Sequence, residues 1–175
     1  MLLMVVPMIP MVQLVTMLPL VAMVPLVRMV QMLPLVCLAT AVPMCDGGEG
    51  TLEVLGGPNR QSTVTGPLGT HIGAEWRFDG QTAVIEMARA SGLLLAGGPE
   101  NNDPLQATTA GTGELIKEAA ESGAQRIVVA LGGSASTDGG LGAIRAMGSL
   151  SRYRGIELIV ACDVRTQFLD AAQRF

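Results

Sequence analysis

Between Thr112 and Asp163 the chain spells a helix, a strand, a glycine loop, a second helix and a second strand closed by an aspartate. This order constrains the fold more than any other feature. In "TGELIKEAAESG" (Thr112 to Gly123), Leu115, Ile116, Ala119 and Ala120 form an apolar helix face, and Gly123 is a stop signal. Thr112 is the expected N-cap, with Glu114 in the first turn, where the helix dipole favours a negative charge. "RIVVAL" (126–131) and "IELIVACD" (156–163) read as buried strands, and "GGLGAIRAMG" (139–148) as a helix of small residues. Alternation of this kind predicts a parallel sheet in an α/β fold. Ligands of such sheets bind outside the carboxyl ends of the strands, where the 131–140 loop and Asp163 fall.

The stretch before it has hairpin chemistry. "STVTGPLG" (62–69) and "HIGAEWRFDG" (71–80) read as two strands with Gly-Pro and Asp-Gly turns. "TAVIEMARASG" (82–92) starts as a strand and passes into a short helix ended by Gly92, and "AGGPENNDP" (96–104) is loop. "TQFLDAAQRF" (166–175) reads as helical.

Residues 1–45 are different. They hold nine of the eleven methionines, six of the ten prolines and one charged side chain, Arg28. "VQLVTMLPLV" (12–21) returns as "VRMVQMLPLV" (27–36) with seven of ten positions identical. The apolar length admits a membrane-associated or exported segment. Interior prolines, which cost a helix about 3 kcal/mol each, and a start without Lys or Arg argue for a low-complexity segment outside the folding unit. A buried strand-helix start is the third reading, and "CLATAVPM" (37–44) could be a strand leading into the glycine-rich turn at 45–51. The expected division is 1–42, an apolar Met/Pro/Val-rich repeat, and 43–175, a partial α/β domain. Any membrane contact is expected only through residues 1–36.

Charge narrows the function. A net charge of -4 with no basic stripe makes nucleic acid a poor partner. Three scattered cysteines (Cys37, Cys45, Cys162) suggest a reducing, cytoplasmic compartment. The single histidine, His71, leaves no His-based metal cluster. Three glycine loops remain: "DGGEGT" (46–51), "AGTGE" (110–114) and "GGSASTDGG" (132–140). Glycine lets backbone N–H groups converge on an anion, and a following helix amino terminus adds positive potential. Ser134, Ser136 and Thr137 add hydroxyl donors, and Asp46, Glu49, Glu114, Asp138 and Asp163 add carboxylates of the kind that hold Mg²⁺. For any single loop, tight turns with solvent-facing acids are the better explanation of the pattern. The three together point to a phosphate or other polar ligand. Neither the P-loop nor the G-x-G-x-x-G pattern is present.

Five blocks carry a resemblance: "PMCDGGEGT" (43–51), "AVIEMARASGL" (83–93), "ATTAGTGELI" (107–116), "VALGGSASTDGGLGAIRAMG" (129–148) and "VACDV" (160–164). Together they resemble the type 1 glycerate kinases. The resemblance implies a Rossmann-like parallel sheet portion plus part of an inserted α/β domain, with the site in the cleft between them. It implies ATP-dependent phosphorylation of glycerate with Mg²⁺. It also implies that Asp46, Gly47, Gly48, Glu49, Gly50, Gly132, Gly133, Ser134, Thr137, Asp138 and Asp163 line the cleft. Glu114 joins them as a binding candidate. Asp46, Asp138 and Asp163 are the catalytic candidates, and Asp163 is the metal candidate. The family's Asp-Ser-Phe-Lys and Pro-Gln-Lys-Gly-Ala motifs do not occur in this sequence. The expectation is therefore a truncated kinase domain with one cleft wall, prone to self-association, with a non-catalytic remnant as the alternative.

Overall fold

The computed structural model describes residues 44–165. The apolar repeat and the expected helix over 166–175 lie outside them. A five-stranded sheet has the order β1-β2-β3-β4-β5. β1 (Arg60–Thr65) and β2 (His71–Phe78) form the hairpin that the Gly-Pro turn predicts. β2 pairs antiparallel with β3 (Thr82–Glu86), across the Asp-Gly turn. From β3 the sheet is parallel, through β4 (Arg126–Ala130) to β5 (Glu157–Ala161). The α/β class follows from this alternation.

Among the described residues four α-helices accompany the strands: α1 (Thr51–Val54), α2 (Ala88–Ser91), α3 (Ala110–Glu121) and α4 (Leu141–Met147). The apolar positions of α3 pack where their spacing puts them. Leu115, Ile116 and Ala119 join Ile85, Ile127, Val129 and Trp76 in the principal core. The Trp76 indole N–H donates to Ser62 Oγ at 2.8 Å, so the largest core side chain buries no unpaired donor.

Two expectations are corrected. Helix α3 begins at Ala110, so Thr109 rather than Thr112 is its N-cap. Thr112 is buried inside the first turns, and its hydroxyl is bonded to Ser91 Oγ at 2.9 Å. Strand β5, read as buried, is exposed: Leu158, Ile159 and Val160 keep 46%, 37% and 55% of their surface. Among the described residues β5 is the sheet edge, paired only with β4. An apolar run reports that a strand suits burial, not that an element covers it.

Candidate functional site

Strands β3, β4 and β5 end level with one another at Glu86, Ala130 and Ala161. Met87 N–H donates to Ala130 O at 3.0 Å, and Leu131 N–H donates to Ala161 O at 2.9 Å. The glycine turn before α1 reaches this rim. Gly47 is buried with φ +95°, and a Cβ there would lie 2.8 Å from the Ala161 carbonyl carbon and oxygen. A Cβ on Gly132 would lie 2.7 Å from Gly48 Cα, and one on Gly133 would run into the Glu49 carboxylate. Three segments distant in sequence, 47–49, 132–133 and 161–162, thus meet at one edge. Backbone approach this close restricts positions 47 and 132 to glycine, and at 133 it is φ +59° that favours glycine.

The candidates divide in two. Gly47, Gly48, Glu49, Gly132 and Gly133 belong to the meeting segments, and Asp46 directly precedes one of them. Asp46 is exposed, and its Oδ1 accepts the Gly48 N–H at 3.0 Å, which holds its carboxyl below the usual range. Gly50 has φ +88° and leads into α1. Asp163 is exposed, two residues beyond the end of β5.

The other candidates are occupied by internal bonds. Asp138 accepts hydrogen bonds from Thr109 N–H at 2.9 Å, Gly140 N–H at 2.9 Å and Gly142 N–H at 3.1 Å. The hydroxyls of Thr109 and Ser136 donate to it as well. Partial burial pushes this carboxyl up. The bonds from Thr109, Gly140 and Gly142 outweigh burial, and the group lies below its usual range. The first turns of α3 and α4, which glycine spacing offers to an outside anion, are thus bridged by the protein's own carboxylate. Glu114 accepts both the N–H and the hydroxyl of Thr65 at 2.7 Å, tying α3 to β1. Ser134 bonds to Ser136, and the Thr137 hydroxyl donates to Pro104 O at 3.0 Å, joining the 132–140 loop to the 96–104 loop.

Two further residues at the rim are not among the expected ones. Glu86, 4% exposed at the end of β3, accepts the Leu52 N–H at 3.1 Å. Arg89 meets Glu53 and Glu75 and stands 3.8 Å from Glu86. An acid closing an otherwise apolar buried strand, as in "TAVIE", is the signal that could have found Glu86. No group of three or more His, Cys, Asp or Glu among the described residues could hold a metal.

An α/β sheet with glycine turns gathered at the carboxyl rim is the architecture of proteins that bind ligands at strand ends. The glycerate kinase family matches residues 28–154, and the chain belongs to that family. Glycerate 2-kinase of Escherichia coli K12 is 51% identical over 115 residues, covering 62% of this chain and 30% of that protein. Glycerate kinase of Bacillus subtilis 168 is 41% identical over 157 residues, covering 70% and 41% respectively. A crystal structure of glycerate kinase 2 from Salmonella typhimurium LT2 superposes with a TM-score of 0.66 at 32% identity. It covers 76% of this chain and 47% of that one. The chain spans 30% and 41% of the length of these two curated relatives.

Proposed function

We propose that this chain carries part of the site of an ATP-dependent glycerate kinase. The γ-phosphoryl group of ATP passes to a hydroxyl of glycerate, with ADP and a phosphoglycerate as products. The observation that carries the reading is the meeting of segments 47–49, 132–133 and 161–162 at the carboxyl rim. Phosphoryl transfer asks for positioned backbone donors and neutralised charge more than for covalent help. Gly47, Gly48, Gly50, Gly132 and Gly133 supply backbone that approaches a ligand without side-chain hindrance. Asp46 and Asp163 are the exposed carboxylates for orienting the glycerate hydroxyl, and Asp163 is the candidate for holding Mg²⁺. Mg²⁺ is commonly held by one or two carboxylates together with substrate phosphates, so a single exposed carboxylate fits an ion that arrives with the nucleotide. It would neutralise phosphate charge there.

A second reading is a remnant that binds nucleotide without transferring phosphate. It is favoured by Asp138, a catalytic candidate whose carboxylate is taken up by donors from Thr109, Ser136, Gly140 and Gly142. Location in the cytoplasm and self-association belong to the proposal too. No helix among the described residues is long and apolar enough to cross a membrane, and residues 1–36 lie outside that description.

Titration of the full chain separates the readings. The expected result is a rise in melting temperature with Mg-ATP and glycerate-dependent release of ADP. A rise with no ADP release selects the remnant. No rise with either ligand removes both readings.

A further inference from the structure

We infer that Glu86 is a positioning residue for the rim, holding the 46–50 glycine turn in place through helix α1. The turn takes positive φ at Gly47 and Gly50 and leaves Asp46, Glu49 and Gly50 exposed. Besides the Gly48–Asp46 bond and the close approach of Gly47 to Ala161 and of Gly48 to Gly132, it is attached through Thr51, Leu52 and Glu53. The Thr51 hydroxyl donates to Gly48 O at 2.7 Å, closing the turn onto the start of α1. Leu52 is fully buried, and its N–H donates to Glu86 Oε2 at 3.1 Å. The Glu53 carboxylate meets Arg89, which stands three residues beyond Glu86. A short helix of four residues has no cooperative stability of its own. A hydrogen bond to a side-chain oxygen at the end of β3 therefore helps fix where α1, and the turn before it, sit relative to Gly132 and Gly133.

The chemistry separates this role from catalysis. A positioning acceptor needs an oxygen at that place, not a charge. Glutamine retains the oxygen that accepts the Leu52 N–H, whereas a carboxylate serving as base or metal ligand is lost with its charge. The inference rests on the glycerate kinase reading only for its ligand measurement.

The test uses the full chain with Glu86→Gln and Glu86→Ala, and Glu86→Met where the alanine variant is too unstable to purify. Amide hydrogen exchange is read at Gly47–Leu52 and, as a control, at Leu115–Ala119 in α3. Mg-ATP is titrated in parallel. Alanine or methionine at 86 should speed exchange at 47–52 by up to about tenfold, the loss of one buried hydrogen bond. The α3 amides should stay protected, and Mg-ATP should bind about tenfold more weakly. Glu86→Gln should restore both. Equal loss of protection at both segments would reduce Glu86 to a general stability residue and overturn the inference. So would a glutamine variant as impaired as the alanine one. Failure of the unsubstituted chain to bind Mg-ATP strikes the functional reading instead, and the exchange measurements still decide the role of Glu86.

Discussion

At the scale of single residues, Asp138 shows how a carboxylate that spacing nominates for chemistry can be engaged in structure. The sequence places it in "STDGG", between hydroxyls and glycines, which suits a ligand site and a cap equally. Its partner Thr109 lies 29 residues away, a separation no local pattern reports. Asp138 takes three N–H groups and two hydroxyls. The Thr109 hydroxyl also accepts Ala143 N–H at 2.9 Å, so the network joins both helix starts. Replacement by alanine leaves these donors unpaired in a partly exposed place. We expect a loss of about 2 kcal/mol in urea unfolding, discounted for that exposure. The pH dependence has a definite sign. The folded carboxyl lies below its unfolded value of about 3.9. Its contribution is therefore full above that value and disappears as pH falls through the lower folded one. Wild-type and Asp138→Asn stability curves should converge on the acid side of about pH 4. Curves that stay parallel down to about pH 2 would contradict the assignment.

At the scale of elements, what was legible followed periodicity, and what was not depended on contact between elements. The 3.6-residue pattern placed Leu115, Ile116 and Ala119 on the core side of α3, and Gly123 closed the helix with φ +90°. The pattern says nothing of why "AGTGELI" carries glycines inside a helix, where each costs about 1 kcal/mol relative to alanine. The packing supplies the reason. A Cβ on Gly113 would lie 2.6 Å from Ala143 Cα and 2.7 Å from its carbonyl carbon, and one on Gly142 would lie 2.9 Å from the Ala110 nitrogen. Helices α3 and α4 touch backbone to backbone at their starts. The two effects of Gly113→Ala oppose each other. Propensity favours alanine by about 1 kcal/mol, while forcing a methyl against a neighbouring backbone costs about 1–3 kcal/mol or more. Contacts under 3.0 Å to main-chain atoms cannot be relieved by a side-chain rotation, so the second effect wins. Gly113→Ala should destabilise by about 1–2 kcal/mol in denaturant unfolding. A stabilised variant would mean the helices separate freely, and the Asp138 bridge would then carry less than its bonds suggest.

At the scale of the whole molecule, the sheet is buried at its central strands and, among the described residues, open at the β5 edge. β3 shows four buried positions in five, and β4 has Ile127, Val129 and Ala130 inside. β5 alone is apolar and uncovered among the described residues. Leu158 and Val160 face a groove lined also by Ile144 and Met147, and Ile159, at the intervening position, points to the other face. Period and composition correctly made β5 a strand of the parallel set. Coverage was illegible because it depends on which elements pack against a strand, and no residue within "ELIVA" encodes that. Parallel strands are normally covered on both faces, and an apolar edge with open backbone groups is a template for another strand. The proposed self-association has its physical basis here. Two copies meeting edge to edge through β5 would pair antiparallel about a twofold axis and share their apolar faces. A lysine is an effective guard on such an edge because pairing would desolvate its charge. Val160→Lys should therefore reduce concentration-dependent growth in sedimentation velocity about tenfold in apparent association constant. It should leave the far-ultraviolet circular dichroism unchanged, since the position is 55% exposed. A wild-type chain that sediments as one monomeric species at all concentrations would remove β5 as an association edge.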